Sequence, residues 1–331
     1  MNQLSHSLPP RVRHKHGAFY YVTRIKKWVR LGKTWEESEP VYQSLITTQY
    51  AHGTMGWLIT KYMDEVAPAK APRTYQGNIA ESRLLLGVFG HMKPQAVKPM
   101  DVAGYLDERG KVAPVRANRE KALLSHIFTK AMRWGITDWN PCRGVSRNPE
   151  TPRDRYITDA EFDAVRGIAN EVVQDMMDFA LCTGQRGGDL LGIMFSDIDD
   201  EGVMIEQNKT RTVVRNSTPV RLKILLSDSM REIVERRRKD GNEYLFSYAR
   251  RGKEHRYTET GFKSMFKRSV VKALKKGLIT VDFTFHDLRA KALTDASRMG
   301  MNAQAIAGHK NASMTEMYIK RREHAIVKAV R

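Results

Sequence analysis

The sequence predicts an α+β multidomain chain: a small N-terminal β-sheet, an all-helical middle, and a mostly α C-terminal part with a small antiparallel sheet inserted. Three observations predict it. Aromatic and β-branched residues alternate with basic ones only over 17–33, the period of a strand. Between 53 and 147 the apolar residues recur at helical spacing. From 156 the helical period returns, interrupted around "VMIEQNKT" and "VRLKI". These changes set domain boundaries at 1–49, 53–147 and 156–331, and 331 residues are too many for one small core.

In the first part, "GAFYYVTRIKKWVRLGK" carries glycine at both ends, and Tyr20, Tyr21 and Trp28 are expected as the sheet's own core. "TWEESEPVYQSLITTQ" then reads as a helix capped at Thr34, with Glu37 at the capping-box position. In the middle part, Trp57, Ile59, Tyr62, Met63 and Val66 mark one helix; Leu123, Leu124, Ile127, Phe128, Ala131 and Met132 mark another. "NPCRGVSRNPETPRDR" (140–155), with three prolines and four arginines, is expected to be an extended linker. The last part opens with helices over "TDAEFDAVRGIA" and "EVVQDMMDFALCTG".

Charge narrows the function. A net charge of +19 implies a polyanionic partner, and nucleic acid comes first. Residues 1–33 hold eight Lys/Arg and no acid, and 250–276 hold ten against Glu254 and Glu259. Hydrophobic content of 41% supports real cores. No stretch of eighteen apolar residues and no apolar leader occurs, so neither a membrane span nor export is expected. Two cysteines, Cys142 and Cys182, lack Cys-x-x-Cys spacing, which fits a reducing cytoplasm.

Motifs for metals and nucleotides are missing. "DIDDEG" (197–202) matches half a calcium loop, but Asn208 stands where a bidentate Glu is needed; it reads as an acid-rich turn. No metal and no cofactor are expected. What remains is cationic. "CTGQRGGDLLGI" places Arg186 after Gly184, at the opening of a helix. "TFHDLRAKALTD" sets His286 and Arg289 three apart, on one helix face. "AIAGHKNASMTEMY" gives His309 and, nine residues on, Tyr318; Lys209 ends an alternating strand. Singly, each has an ordinary reading: a surface arginine, a structural histidine, a solvated lysine, a half-buried tyrosine of a last helix.

Together they suit a phosphodiester. Two arginines can each bind non-bridging oxygens bidentately, and preorganised donors favour the more highly charged transition state. A tyrosine hydroxyl is a weak nucleophile unless cations and a base assist it. Histidine can take its proton and lysine can protonate the leaving oxygen.

The order T-G-x-R, Lys on a hairpin, H-x-L-R, G-H and then Tyr resembles the tyrosine recombinase (phage integrase) family over 156–331. "AMRWGITDWNPCRGV" also resembles the segment that closes the family's helical core-binding domain, and 17–33 resembles its arm-site-binding sheet. The resemblance implies that Arg186 and Arg289 grip the scissile phosphate, Lys209 is the general acid, His286 handles the nucleophile's proton, and His309 donates to the phosphate. Tyr318 would form a 3′-phosphotyrosyl link and free a 5′-hydroxyl. Lys223 competes with Lys209 for the acid's role. Asp189 stands where the family usually carries Glu, which would loosen the support of Arg186.

The resemblance further implies a homotetramer on double-stranded DNA, a Holliday junction, and residues 319–331 as a tail docking on a neighbouring protomer. A host DNA-bending protein and an excision factor are further candidate partners. Basic residues of the arm-like part, Arg11, Arg13, Lys15, Lys26 and Lys27, are candidates for DNA phosphate contacts. The setting implied is the bacterial host cytoplasm, on DNA. Two other readings stay open: a type IB topoisomerase-like enzyme, which would nick and reseal without a preferred site, and a non-catalytic DNA-binding regulator of the same fold.

Overall fold

A computed structural model describes residues 8–9, 11–22, 28–47, 50–151, 155–207, 220–238 and 242–319, with the side chains of 43–47 excepted. Lys26, Lys27, Lys209 and tail residues 320–331 lie outside the described residues. The chain divides into two compact units, Met1–Thr151 and Pro152–Arg331.

The first unit opens with strands β1 (Val12–Lys15), β2 (Ala18–Val22) and β3 (Trp28–Gly32), an antiparallel meander. His16 and Gly17, at φ 51° and 71°, join β1 to β2 between the paired Lys15 and Ala18, the two-residue turn that matches strand twist. Helix α1 (Trp35–Thr47) follows. Thr34 Oγ1 accepts the Glu37 N–H at 3.3 Å, and the Glu37 carboxylate takes the Lys33 N–H at 3.0 Å. Val12, Phe19, Leu31 and Tyr42 form the core here. The expectation for three core aromatics divides: Tyr21 packs edge-on against Tyr42, whereas Trp28 is 49% exposed and pairs with Tyr20 beneath Lys15. A sheet of three short strands has only one face to bury, so the other keeps its aromatics wet.

Helices α2 (Met55–Glu65), α3 (Pro72–Phe89), α4 (Pro99–Gly110) and α5 (Pro114–Arg133) enclose a second core in this unit. Three of them begin with proline, which has no N–H to leave unpaired. Ile59, Tyr62, Met63, Leu123, Leu124, Ile127, Phe128 and Ala131 are buried as the periodicity predicts, while Trp57 and Val66 pack at the edge. The expected linker is corrected over its first half. Asn140 donates to Ser125 O at 2.9 Å, Cys142 is buried, and Asn118 clamps Asn148 through paired bonds of 2.9 Å. Two asparagines on or against α5 therefore hold as far as Asn148 what proline content alone marked as free.

The second unit begins with α6 (Asp159–Arg166), capped by Thr158 and Glu161, and α7 (Glu171–Thr183). A four-residue helix α8 (Gly187–Leu190) leads to the β4 (Gly202–Glu206) and β5 (Arg221–Leu225) hairpin. After α9 (Asp228–Arg237) comes a second antiparallel pair, β6 (Ser247–Arg250) and β7 (Lys253–Arg256), then α10 (Glu259–Lys275). Helices α11 (Phe285–Arg298), α12 (Ala303–Ala307) and α13 (Ala312–Ile319) complete the described chain. The main core takes α7, α10 and the start of α11; a smaller one, Leu293, Ala296, Ala303 and Ala307, seats α13. No helix among the described residues is long and apolar enough to cross a membrane.

Candidate functional site

Two glycines shape the site. Gly184 ends α7 and Gly308 ends α12, each left-handed at φ 62°, a conformation that costs other residues free energy. Each also sits too close to its neighbours for a side chain. A Cβ on Gly308 would lie 2.7 Å from Gln207 Nε2, and one on Gly184 would lie 3.1 Å from Ile306. The T-G-x-R and G-H segments can therefore turn sharply and close on each other, which brings Arg186 and His309 together with α11.

Helix α11 is held by one face and works with the other. Thr284 and Asp287 cap its start. On the rear, buried Lys291 donates to Tyr156 Oη at 2.8 Å and Asp295 at 2.9 Å and pairs with Asp159 at 2.5 Å. On the front, the Arg289 side chain, 1% exposed, donates Nη1 to Gly184 O and Nη2 to Ala307 O, both at 2.7 Å. Its Nη2 also lies 3.2 Å from His309 Nε2. Burial, and then the nearby Arg186, push the guanidinium down to about 10; it stays charged at neutral pH. Its Nε is buried with no hydrogen-bond partner among the described residues. A desolvated cation with a donor to spare is built for an anion.

His286 is exposed at the start of α11, and its Nε2 is 3.1 Å from the Tyr318 hydroxyl. Tyr318 leans on the small core of α11 and α12 and stacks against His309, with ring centroids 5.7 Å apart and planes inclined by 18°. His309 is itself fixed, Nδ1 by Thr315 Oγ1 at 2.9 Å and its backbone by Gln304. Thus the structure brings Arg289, His286, His309 and Tyr318 into one constellation, with Arg186 beside Arg289.

Arg186 has a partner that the sequence did not single out. Asp189 faces its Nη1 across 3.8 Å, whereas Gln207 Oε1 accepts from that nitrogen at 3.1 Å. Sequence reasoning missed Gln207, Gln185 and Thr315. The signal for Gln207 was present: Val203 and Ile205 of β4 and Gln207, just past its end, are alternate buried positions, so a glutamine falls where an apolar residue belongs. Lys223, the competitor for the acid's role, pairs with Asp199 at 2.9 Å and Glu201 at 2.7 Å. This also accounts for the calcium-like turn, where Asp199 instead accepts from the Glu201 and Gly202 backbone. No group of acids, histidines or cysteines suited to a metal occurs among the described residues. In the first unit Arg13 and Lys15 are exposed on β1, and Arg11 precedes it in a left-handed conformation, φ 68°.

Comparison with known proteins shows the family and the fold. A model described as the phage integrase family matches residues 157–324. The chain is 28% identical over 227 residues to the integrase of Enterobacteria phage 434, covering 66% of this chain and 60% of that one. It is 29% identical over 225 residues to the integrase of Escherichia phage lambda, covering 65% and 60%. The alignments thus span about three fifths of these relatives' length. Among solved structures, a lambda integrase dimer bound to a COC' core site superposes with a TM-score of 0.70 over 98% of this chain and 99% of that one, at 19% identity. A lambda integrase tetramer bound to a Holliday junction gives 0.66 over 92% and 97%, at 20% identity. These likenesses establish the fold.

Proposed function

This chain belongs to the phage integrase family, and from that premise we propose that it is a site-specific DNA recombinase, a phage or genomic-island integrase, acting through a 3′-phosphotyrosyl intermediate. One observation carries the reading: the Tyr318 hydroxyl sits 3.1 Å from His286 Nε2, on the same front as the buried guanidinium of Arg289. Arg289 and Arg186 receive the non-bridging oxygens of the scissile phosphate, and His309 adds a donor. The Tyr318 oxygen attacks phosphorus as His286 takes its proton; the bond from phosphorus to the 5′-oxygen breaks, and Lys209 protonates that oxygen. The phosphotyrosyl ester keeps the bond's energy, so a 5′-hydroxyl of a second duplex reseals it without ATP. Two cuts in each of two duplexes call for a tetramer and a Holliday junction, a species that a solved lambda integrase tetramer binds. Residues 1–49 would contact arm sites, 53–147 core sites, and 156–331 would carry the chemistry.

The test is to incubate the purified chain, without metal or ATP, with sheared DNA from its source cell. Adducts trapped under denaturing conditions are then sequenced. We expect them at one short inverted repeat, and none with Tyr318→Phe. Adducts scattered over many sequences would favour a topoisomerase, and adducts persisting in the Phe variant would remove Tyr318 as nucleophile.

A further inference from the structure

We propose that Gln207 and Gln185 form an amide relay that positions both arginines, an inference that rests on the function proposed above. Gln207 Oε1 accepts from Arg186 Nη1 at 3.1 Å, and its Nε2 donates to Gln185 Oε1 and to Ala307 O, both at 2.9 Å. Gln185 Oε1 also lies 3.5 Å from Arg289 Nη1, and its Nε2 donates to Ile306 O at 2.5 Å and Thr183 O at 3.1 Å. Both amides are within 1% of complete burial.

The direction of each amide is forced. Arginine offers only donors and the α12 carbonyls only acceptors, so each glutamine turns its oxygen to a guanidinium and its nitrogen to the backbone. Two guanidinium groups side by side repel each other. A second carboxylate beside Asp189 would further offset the charge that an anionic substrate requires, whereas an amide orients Arg186 without adding charge. The relay also ties Arg186 to Ile306 and Ala307, the carbonyls just before Gly308 and His309. Strand β4, α12 and the α7–α8 turn therefore shift together or not at all. With Asp189 at 3.8 Å, Gln207 makes the shorter polar contact to Arg186, and these residues are positioning groups rather than catalytic ones.

The experiment uses the full chain and the duplex recovered from adduct trapping, and reads single-turnover adduct formation, duplex binding and thermal unfolding. Gln207→Met keeps the volume and removes all three bonds. We expect adduct formation to fall by on the order of 10²-fold, as for a group misplaced by an ångström, with duplex binding retained. The deciding readout is a cycle with Arg186→Ala: if Gln207 acts through the arginines, the loss it adds on top of Arg186→Ala is clearly smaller than the loss it causes alone. Full multiplication of the two losses, or a wild-type rate in Gln207→Met, overturns the proposal. Should Gln207→Met not fold, Gln207→Asn serves in the same cycle with the same outcomes, because its shorter amide stays polar yet cannot span Arg186 and the Ala307 carbonyl at once. No adduct in the unaltered chain sinks the functional reading and this relay with it. Adducts in the unaltered chain with an unaffected Gln207 variant sink the relay alone.

Discussion

Arg13 and Arg289 carry the same group in opposite settings. Arg13 stands exposed on β1, with a local bond to Val12 O at 3.2 Å, and water screens it. Arg289 is buried, gripped by two backbone carbonyls at 2.7 Å, and depressed toward 10 by desolvation and by Arg186. An exposed cation attracts a polyanion from a distance and adapts to it. A buried and fixed one stabilises charge at a single point, without reorganising when that charge develops. Net charge reports the first kind; only packing produces the second.

The largest effect should separate chemistry from binding altogether. Tyr318→Phe is expected to abolish adduct formation and leave duplex affinity near that of the unaltered chain, checked by gel shift beside the trapping assay. A cleaving Phe variant would mean that the tyrosine beside His286 is only a packed aromatic. Next comes Arg289→Lys. Lysine keeps the charge but cannot serve Gly184 O, Ala307 O and a phosphate together, so cleavage should fall at least ~10²-fold, as when one transition-state donor is lost. An unchanged rate would show that charge alone matters there, erasing the contrast with Arg13. A smaller effect is expected of Gly308→Ala. The left-handed backbone alone costs about 1–2 kcal/mol, and the new methyl meets Gln207 Nε2. Thermal unfolding should drop accordingly, and cleavage should fall more than stability explains.

What was legible in the sequence follows the same division. Tyr318, His286 and Arg289 stood out because their order and spacing are local, and helix α11, which carries two of them, opens on a clear cap at Thr284 and Asp287. Gln207 needed its partner: a buried glutamine just past the end of β4 looks like an error until Arg186 arrives from 21 residues away. The β6–β7 hairpin was not foreseen. "SYARRGKEHR" has no alternation because neither face of that pair is buried, and only its turn, Arg251 and Gly252 at φ 53° and 72°, marks it. In the 140–155 stretch, proline content announced a linker, while the Asn118 clamp that holds Asn148 depends on a side chain 30 residues earlier. Local chemistry reads directly from sequence, whereas polar contacts between distant segments do not.

The smallest effect tests the exposed half of the comparison. Arg13 and Lys15 are exposed residues of β1, two apart, in a segment that holds no acid, and are proposed to meet DNA phosphates. Each phosphate neutralised contributes roughly 0.9 to the slope of log affinity against log salt. Arg13→Ala with Lys15→Ala should therefore flatten that slope by up to about 2 for the intact chain on arm-site DNA. Adduct formation on a core site alone should keep its rate, since neither residue is proposed to reach the reacting phosphate. A double variant that binds with the same slope would assign β1 to something other than DNA. One that also loses cleavage at a core site would join the two kinds of charge, and would make the N-terminal sheet a component of the chemistry.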